Sequence, residues 1–305
     1  MDIKKRLINS YSYGGMKEIV RKIIYYYIYK INNAITTKEN EKAPLEYGLN
    51  KKEREDTIVV SLTSFPARFS KLDLCLKSII TQKFKPDKII VYLGSDSSES
   101  MLTEDLLCLK KYGVDFRFDK EKNIMSHKKY YYAMQEYPYS IIITADDDVI
   151  YPKDWIESLY YSYKKYPSAV SARRVHLMKR RGDIFLPYDH WEDQCRRVTE
   201  PTMNLIATGN SGVLYPPHCF GDMLFDITAI ENLCIRADDL WLKCAEVKYK
   251  IPIVWVRNWE VSPAGIEFET DEKLSNLNIF TGKNDDVLYK LMDHFEICID
   301  DFFAN

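Results

Sequence analysis

Between residues 57 and 148, short apolar runs alternate with stretches of helical periodicity. "TIVVSLTSF" (57–65) is a β-branched run that stops at Ser64, Phe65 and Pro66, the mark of a buried strand and its exit loop. "SKLDLCLKSIITQ" (70–82) sets Leu72, Leu76, Ile79 and Ile80 on one face, which predicts a helix with Ser70 as its cap. "DKIIVYLG" (87–94) is a second buried strand, and "MLTEDLLCLKKYG" (101–113) a helix stopped by Gly113. "VDFRFD" (114–119) alternates as a strand does, "SHKKYYYAMQEYP" (126–138) predicts another helix, and "SIIITADDD" (140–148) a further strand. This succession predicts an α/β fold with a mixed, mostly parallel sheet covered by helices on both faces. Ligands of such sheets collect at the carboxyl ends of the strands. Thr63–Arg68, Gly94–Ser98 and Asp146–Asp148 all fall there, so three polar loops are expected to converge on one site.

The first 56 residues follow a different pattern. Residues 1–33 hold seven Lys or Arg against two acids, a local charge of +5 in a chain whose net charge is −2. Within them "EIVRKIIYYYIYKI" mixes Ile, Val and Tyr with Arg and Lys at helical length. Such a basic amphipathic helix suits an anionic membrane surface, and it equally suits ordinary packing on the domain. Residues 34–56 are polar and unpatterned, and read as a linker. The division expected is 1–56 as helix and linker, and 57–305 as the catalytic domain.

The totals narrow the class. A chain of 305 residues, 46% apolar and 29% charged, can build a real core. The near balance of Lys+Arg (43) with Asp+Glu (45) gives nucleic acid no obvious footing. Seven scattered cysteines show no CxxC pair and no zinc spacing, and read as reduced thiols. No run approaches the roughly 18 apolar residues of a spanning helix, and no signal peptide is visible. The expected location is cytoplasmic, with peripheral contact at the inner face of the cell membrane.

The triplet Asp146–Asp147–Asp148 carries the strongest chemistry. Adjacent carboxylates raise each other's pKa unless a cation sits among them. Hard divalent ions, Mn²⁺ or Mg²⁺, supply that charge and prefer oxygen ligands. At a strand exit Asp146 and Asp148 point to one side and Asp147 to the other. Two oxygens then face a metal, and one faces a neighbouring hydroxyl or Lys.

The order of "VVSLTSFPAR", "SIITQKFKPDKIIVYL" and "DDD" resembles the GT-A fold nucleotide-sugar glycosyltransferases. It is most similar to the family 2-like bacterial enzymes that build capsules and other surface polysaccharides, over roughly residues 57–265. The resemblance implies an Asp-x-Asp site in which Asp148 ligates the metal and Asp146 contacts the metal or the ribose. It also implies donor contacts from Thr63, Ser64, Phe65, Arg68 and Asp147. Where the family often has an acidic pair followed by Gly-Ser, this chain has "LGSDSSES", with Asp96 as the substitute. The late His that often completes the metal shell has only His294 as a candidate, on its position alone, and a surface His explains it better. Lys128 and Lys129 open a helix just before the acidic strand, where basic groups and the helix end favour a diphosphate. A solvated basic turn explains either lysine equally well.

Two later segments extend the set. "NLIATGNSGVLYPP" (204–217) offers Gly209 and Gly212 for close backbone approach and Asn210 and Ser211 for hydrogen bonds, as a donor pocket or as a tight turn. "CIRADDLWLKCAEVKYKIPIVWV" (234–256) begins a helix with Asp238 and Asp239, residues suited to capping. In the resembled family, the second carboxylate of such a pair is the general base of an inverting transfer. Asp239 takes that role by resemblance, with Asp238 orienting the loop or binding the acceptor. Trp191, Trp241 and Trp259 could stack on sugar rings, but such aromatic residues more often pack in the core or at its rim. The expected partners are a nucleotide-sugar donor, best a UDP-sugar, and a glycan or lipid-linked acceptor. A metal-dependent nucleotidyltransferase or phosphohydrolase, or a catalytically silent nucleotide- or carbohydrate-binding module, are the other classes these residues allow.

Overall fold

A computed structural model describes residues 3–118, 123–258, 262–268 and 283–304, with side chains from residue 15 onward except Glu18, Lys283 and Asn284. The chain begins with α1 (Ile3–Lys42), bent at Gly15, where φ is +60°. Three strand–helix steps and a fourth strand follow: β1 (Ile58–Ser64), α2 (Phe69–Ile80), β2 (Lys88–Leu93), α3 (Glu104–Leu109), β3 (Val114–Phe118), α4 (Lys128–Glu136) and β4 (Ile141–Ala145). Then come β5 (Val149–Ile150), α5 (Trp155–Lys165), β6 (Val170–Ala172), β7 (Val175–Leu177), β8 (Arg180–Arg181) and β9 (Ile184–Phe185). The remainder comprises β10 (Leu205–Ala207), β11 (Val213–Tyr215), the short turn α6 (Ile227–Ala229), α7 (Asp238–Lys248), β12 (Ile253–Trp255), β13 (Ala264–Gly265) and α8 (Lys283–Phe295).

Seven strands form the central sheet in the order β12-β6-β11-β4-β1-β2-β3. β11 pairs antiparallel with both β4 and β6, while the other pairings are parallel. The mixed, mostly parallel sheet with flanking helices and an N-terminal helix is therefore present. Its central strands are buried on both faces, and for that reason they read as continuous apolar runs. One apolar cluster packs α2, α3 and α5 on the sheet, with Leu72, Leu76 and Ile79 fully buried. A second gathers α7, α8 and the short strands around Trp241 and Leu291.

Two boundaries differ from the expectation. Residues 34–42 continue α1, and Asn40 Nδ2 donates to Leu74 O at 3.2 Å, so tertiary contact orders a segment that lacks an apolar pattern of its own. Beyond it, Gly48 N–H donates to Tyr112 O and Asn50 N–H to Pro86 O. Helix α2 starts at Phe69, and Ser70 makes no cap. Pro66 nucleates a 3₁₀ turn (Pro66–Arg68) that runs straight into the helix.

Gly212 locks the sheet to the acidic turn. It sits at φ +88°, and a Cβ there would lie 2.2 Å from Trp155 Nε1. That indole donates to Ser211 O at 3.0 Å and stacks on Tyr151, ring centroids 4.0 Å apart. Gly212→Ala is expected to destabilise the protein by about 3 kcal/mol, from backbone strain and overpacking together. A urea melt checks this, and an unchanged midpoint would show that Trp155 has room to move.

Candidate functional site

The chain leaves β4 through Asp146–Asp148, and bonds to the backbone of this turn hold it in place. Asp146 N–H donates to Tyr151 Oη at 2.8 Å, the Cys75 thiol donates to Asp146 O at 3.3 Å, and Ile266 N–H donates to Asp148 O at 2.7 Å. The three carboxylates then splay apart. Asp147 turns inward, 5% exposed, accepting from the Ser64 hydroxyl at 2.6 Å and pairing with Arg68. Burial pushes its pKa up, and Arg68 and Ser64 hold it back. Arg68 also reaches Asp148 at 3.4 Å, and its guanidinium lies over the rings of Phe65 and Phe268 at 5.2 and 5.3 Å. Asp148 stays partly open to solvent.

Asp146 faces the other way, toward Lys129. The buried ammonium donates to Asp146 Oδ1 at 2.8 Å and lies 2.9 Å from Asp238 Oδ2. Burial lowers the pKa of Lys129, but Asp146, Asp238 and Asp239 raise it well above its ordinary value. Asp238 is also fixed by the Ser126 hydroxyl, which donates at 2.9 Å. Burial alone would raise the Asp238 pKa; Lys129 and Ser126 hold it below the usual range. Asp239, next in the first turn of α7, accepts from Gly209 N–H at 3.1 Å. Burial and the Asp238 carboxylate push its pKa up to about 7, against the pull of Lys129. Two adjacent carboxyls thus hold their protons differently, the arrangement that separates a fixed anion from a titrating base.

Gly209 is where these groups meet. A Cβ on it would lie 2.9 Å from Lys129 Nζ, 3.4 Å from Asp239 Oδ1 and 3.5 Å from Asp146 Oδ1. Only a glycine lets the turn after β10 press against all three. Asn210 Nδ2 lies 3.5 Å from Ser262 Oγ, and Ser211 serves through its carbonyl to Trp155. A second gathering lies at the end of β2: a Cβ on Gly94 would meet Asp96 Oδ1 at 2.7 Å and Lys128 Nζ at 3.3 Å. Lys128 donates to Asn123 Oδ1 at 2.6 Å. Lys128 and Lys129, adjacent at the start of α4, therefore join the β2 loop to the acidic turn.

Several expected participants lie elsewhere or are already engaged. Thr63 donates its hydroxyl to Tyr92 O at 2.7 Å and ties β1 to β2. Trp191 and Trp241 are buried, their indoles donating to Leu186 O and Leu224 O, so neither presents a face to a sugar. Trp259 lies outside the described residues. His294 stacks on Trp241 in the α7–α8 interface, 3.9 Å from Asp226, away from the acidic turn. Lys129 engages Asp146, and Arg68 approaches Asp148 at 3.4 Å.

Sequence reasoning passed over Ser126, His127 and Arg174. His127 is fully buried, bonding Cys234 O at 3.0 Å and Tyr130 Oη at 2.7 Å, and it braces the loop that delivers Lys128 and Lys129. Arg174 donates to Thr208 Oγ1 at 3.1 Å and lies 3.5 Å from Asn210 Oδ1. Its position just after β6, a three-residue strand without periodicity, left no signal.

Among the described residues no group of three His, Cys, Asp or Glu is arranged to hold a metal. The available donor set is two hard carboxylates of one turn, Asp148 partly exposed and Asp146 beside it. That set fits Mn²⁺ or Mg²⁺ only in the mode where water and substrate phosphate fill the rest of the shell.

No protein-family model matches the chain, and no curated protein matches its sequence. Among solved structures, the mannosyltransferase PcManGT from Pyrobaculum calidifontis, in complex with GDP-Man and Mn²⁺, is 13% identical, with a TM-score of 0.48 over 93% of this chain and 77% of that one. S. aureus TarS 1–349 in complex with UDP is 12% identical, TM-score 0.43, over 66% of this chain and 58% of that one. A 4-diphosphocytidyl-2C-methyl-D-erythritol synthase is 8% identical, TM-score 0.42, over 74% and 99%. Likeness at this level identifies neither substrate nor reaction.

Proposed function

We propose that this chain is a metal-dependent glycosyltransferase of the GT-A type, moving a sugar from a nucleoside-diphosphate donor, best a UDP-sugar, to a hydroxyl of a glycan or lipid-linked acceptor with inversion. Residues 57–305 form the catalytic domain, and surface-polysaccharide assembly at the cytoplasmic face is the setting. The observation that carries this reading is the pairing across Gly209: a strand-end acidic turn on one side, and on the other a carboxyl, Asp239, titrating near neutrality. A nucleoside-diphosphate site needs the first, and an acceptor hydroxyl needs the second.

In this reading Asp239 takes the proton from the acceptor hydroxyl as the sugar carbon is attacked. Lys129 and Ser126 keep Asp238 ionised, which in turn keeps the Asp239 carboxyl basic. Lys128, Asn123 and Asp96 receive the nucleoside end at the β2 loop, and Arg68 orders the turn through Asp147. A divalent ion held by Asp148, with Asp146, would neutralise the departing diphosphate.

Calorimetric titration of UDP, with GDP as control, tests the donor half. Binding is expected with Mn²⁺ and not without it. Asp148→Ala should weaken it by at least about tenfold, the loss that even outer partners of a metal site produce. Failure of both nucleotides to bind under any condition would remove the reading. Turnover of a nucleoside triphosphate with no sugar acceptor would replace it by nucleotidyl transfer.

A further inference from the structure

Helix α1 is docked by its polar side. Arg21 donates to Asp193 Oδ1 at 2.7 Å and to Asp193 O at 3.0 Å. Tyr25 lies beneath the guanidinium groups of Arg21 and Arg196, Thr36 is buried, and Asn40 bonds Leu74 O. The steps 21, 25, 32, 36 and 40 trace one face of the helix. The Tyr29 hydroxyl on its flank lies against β13 at Gly265.

The opposite face is apolar and, among the described residues, uncovered. Met16, Val20, Ile23, Ile24, Tyr27 and Ile31 follow at intervals of one, three and four residues, and all are 48–64% exposed. They make one stripe about 23 Å long at 1.5 Å per residue. A helix held only by packing would show the reverse, with apolar residues inward and polar residues outward. Lys17, Lys30 and Lys38 are exposed around this stripe, and residues 1–38 hold eight basic side chains against two acidic ones. Among the described residues no helix is long and apolar enough to cross a membrane.

We infer that the outward face of α1, from Met16 to Ile31, is a docking surface for an anionic lipid bilayer, lying in the headgroup region parallel to the membrane. The apolar stripe enters the interface, and the lysines at its margins meet acidic headgroups. A second copy of this chain is a poorer fit, because pairing two such faces would bring their lysines together. Because the docked face rests beside β13, and Ile266 bonds Asp148 O, the bilayer would lie near the acidic turn. Lipid binding by this helix does not depend on the chemistry of that turn.

Co-sedimentation of the full chain with phosphatidylcholine vesicles, with and without phosphatidylglycerol, tests the surface. Binding is expected to require phosphatidylglycerol and to fall with salt. Replacing Lys17, Lys30 and Lys38 by Gln should weaken it by about fivefold per lysine. Tyr27→Glu with Ile31→Glu should reduce it to the level of neutral vesicles. Both positions face solvent, so an unchanged thermal melt is expected to accompany that loss. Sedimentation velocity without lipid provides the opposing outcome. A dimer dispersed by the same glutamates would make a second copy the occupant. Absence of binding to either vesicle would equally overturn the lipid surface.

Discussion

Lys129→Met is expected to destabilise the protein by about 3–5 kcal/mol at neutral pH, the range for removing one partner of a buried charge pair. The methionine keeps the apolar stem and deletes only the ammonium that lies against Asp146 and Asp238. Nothing else described in the site supplies that cation. The sign of the pH dependence follows from linkage. The pKa of Lys129 is raised in the folded protein, so its stabilisation is complete below its unfolded value and is lost only in strong alkali. In the variant, Asp238 loses the cation that holds its pKa down, and Asp239 loses a restraint on its rise. The folded variant then binds more protons than its unfolded chain, and its stability falls as pH rises through the carboxylate range. Denaturant melts at pH 5 and pH 8 check this: the deficit against wild type should be larger at pH 8. A deficit independent of pH would mean that packing of the lysine stem, not its charge, is what the site requires.

The same ammonium shows where the sequence stops being informative. The parallel strands were legible because burial on both faces leaves an unbroken apolar run, as in Ile58–Ser64 and Ile141–Ala145. Their carboxyl ends were legible too, which is why Asp146–Asp148 could be singled out from the pattern, whereas Asp238 and Asp239, at the start of α7, read as capping residues and gained a site role only through the family resemblance. Lys129 was visible only as a basic residue at a helix start, and the sequence suggested a phosphate for it. Its partners come from β4 and α7, and that juxtaposition exists only in the folded chain. Short strands such as β6, β10 and β12 have three residues each, too few for any period to register. Residues 34–42 read as linker because contacts such as Asn40 with Leu74 order them, rather than an apolar stripe. The indoles of Trp191 and Trp241 take the packing role that aromatic residues more often have, inside the second apolar cluster.

Asp239→Asn is expected to reduce turnover by about 10²–10⁴-fold, the usual contribution of a positioned general base, while leaving nucleotide binding intact. The amide keeps the shape of the carboxyl and still accepts from Gly209 N–H through its oxygen, so the turn after β10 should not move. What it cannot do is take a proton. In wild type, Asp239 ionises near pH 7, so the rate should rise with pH through that region and level off above it. The variant should lose this limb of the profile. The stability effect has the opposite sign. A carboxyl whose folded pKa lies above its unfolded one destabilises the fold once it is ionised. Replacing it by a neutral amide removes that penalty. With allowance for partial solvent access, the gain is about 1–2 kcal/mol at pH 8, or about 2–8 °C in Tm for a chain of this size. It should shrink toward zero only at about pH 3 and below, where the unfolded carboxyl as well as the folded one is largely protonated. Loss of rate together with a gain of stability distinguishes a base held against its solvation preference from a helix-capping carboxylate. A cap replaced by Asn would leave both quantities nearly unchanged. An inactive variant with a lower Tm would instead show that Asp239 is ionised and structurally required at neutral pH, and the proton would then need another acceptor.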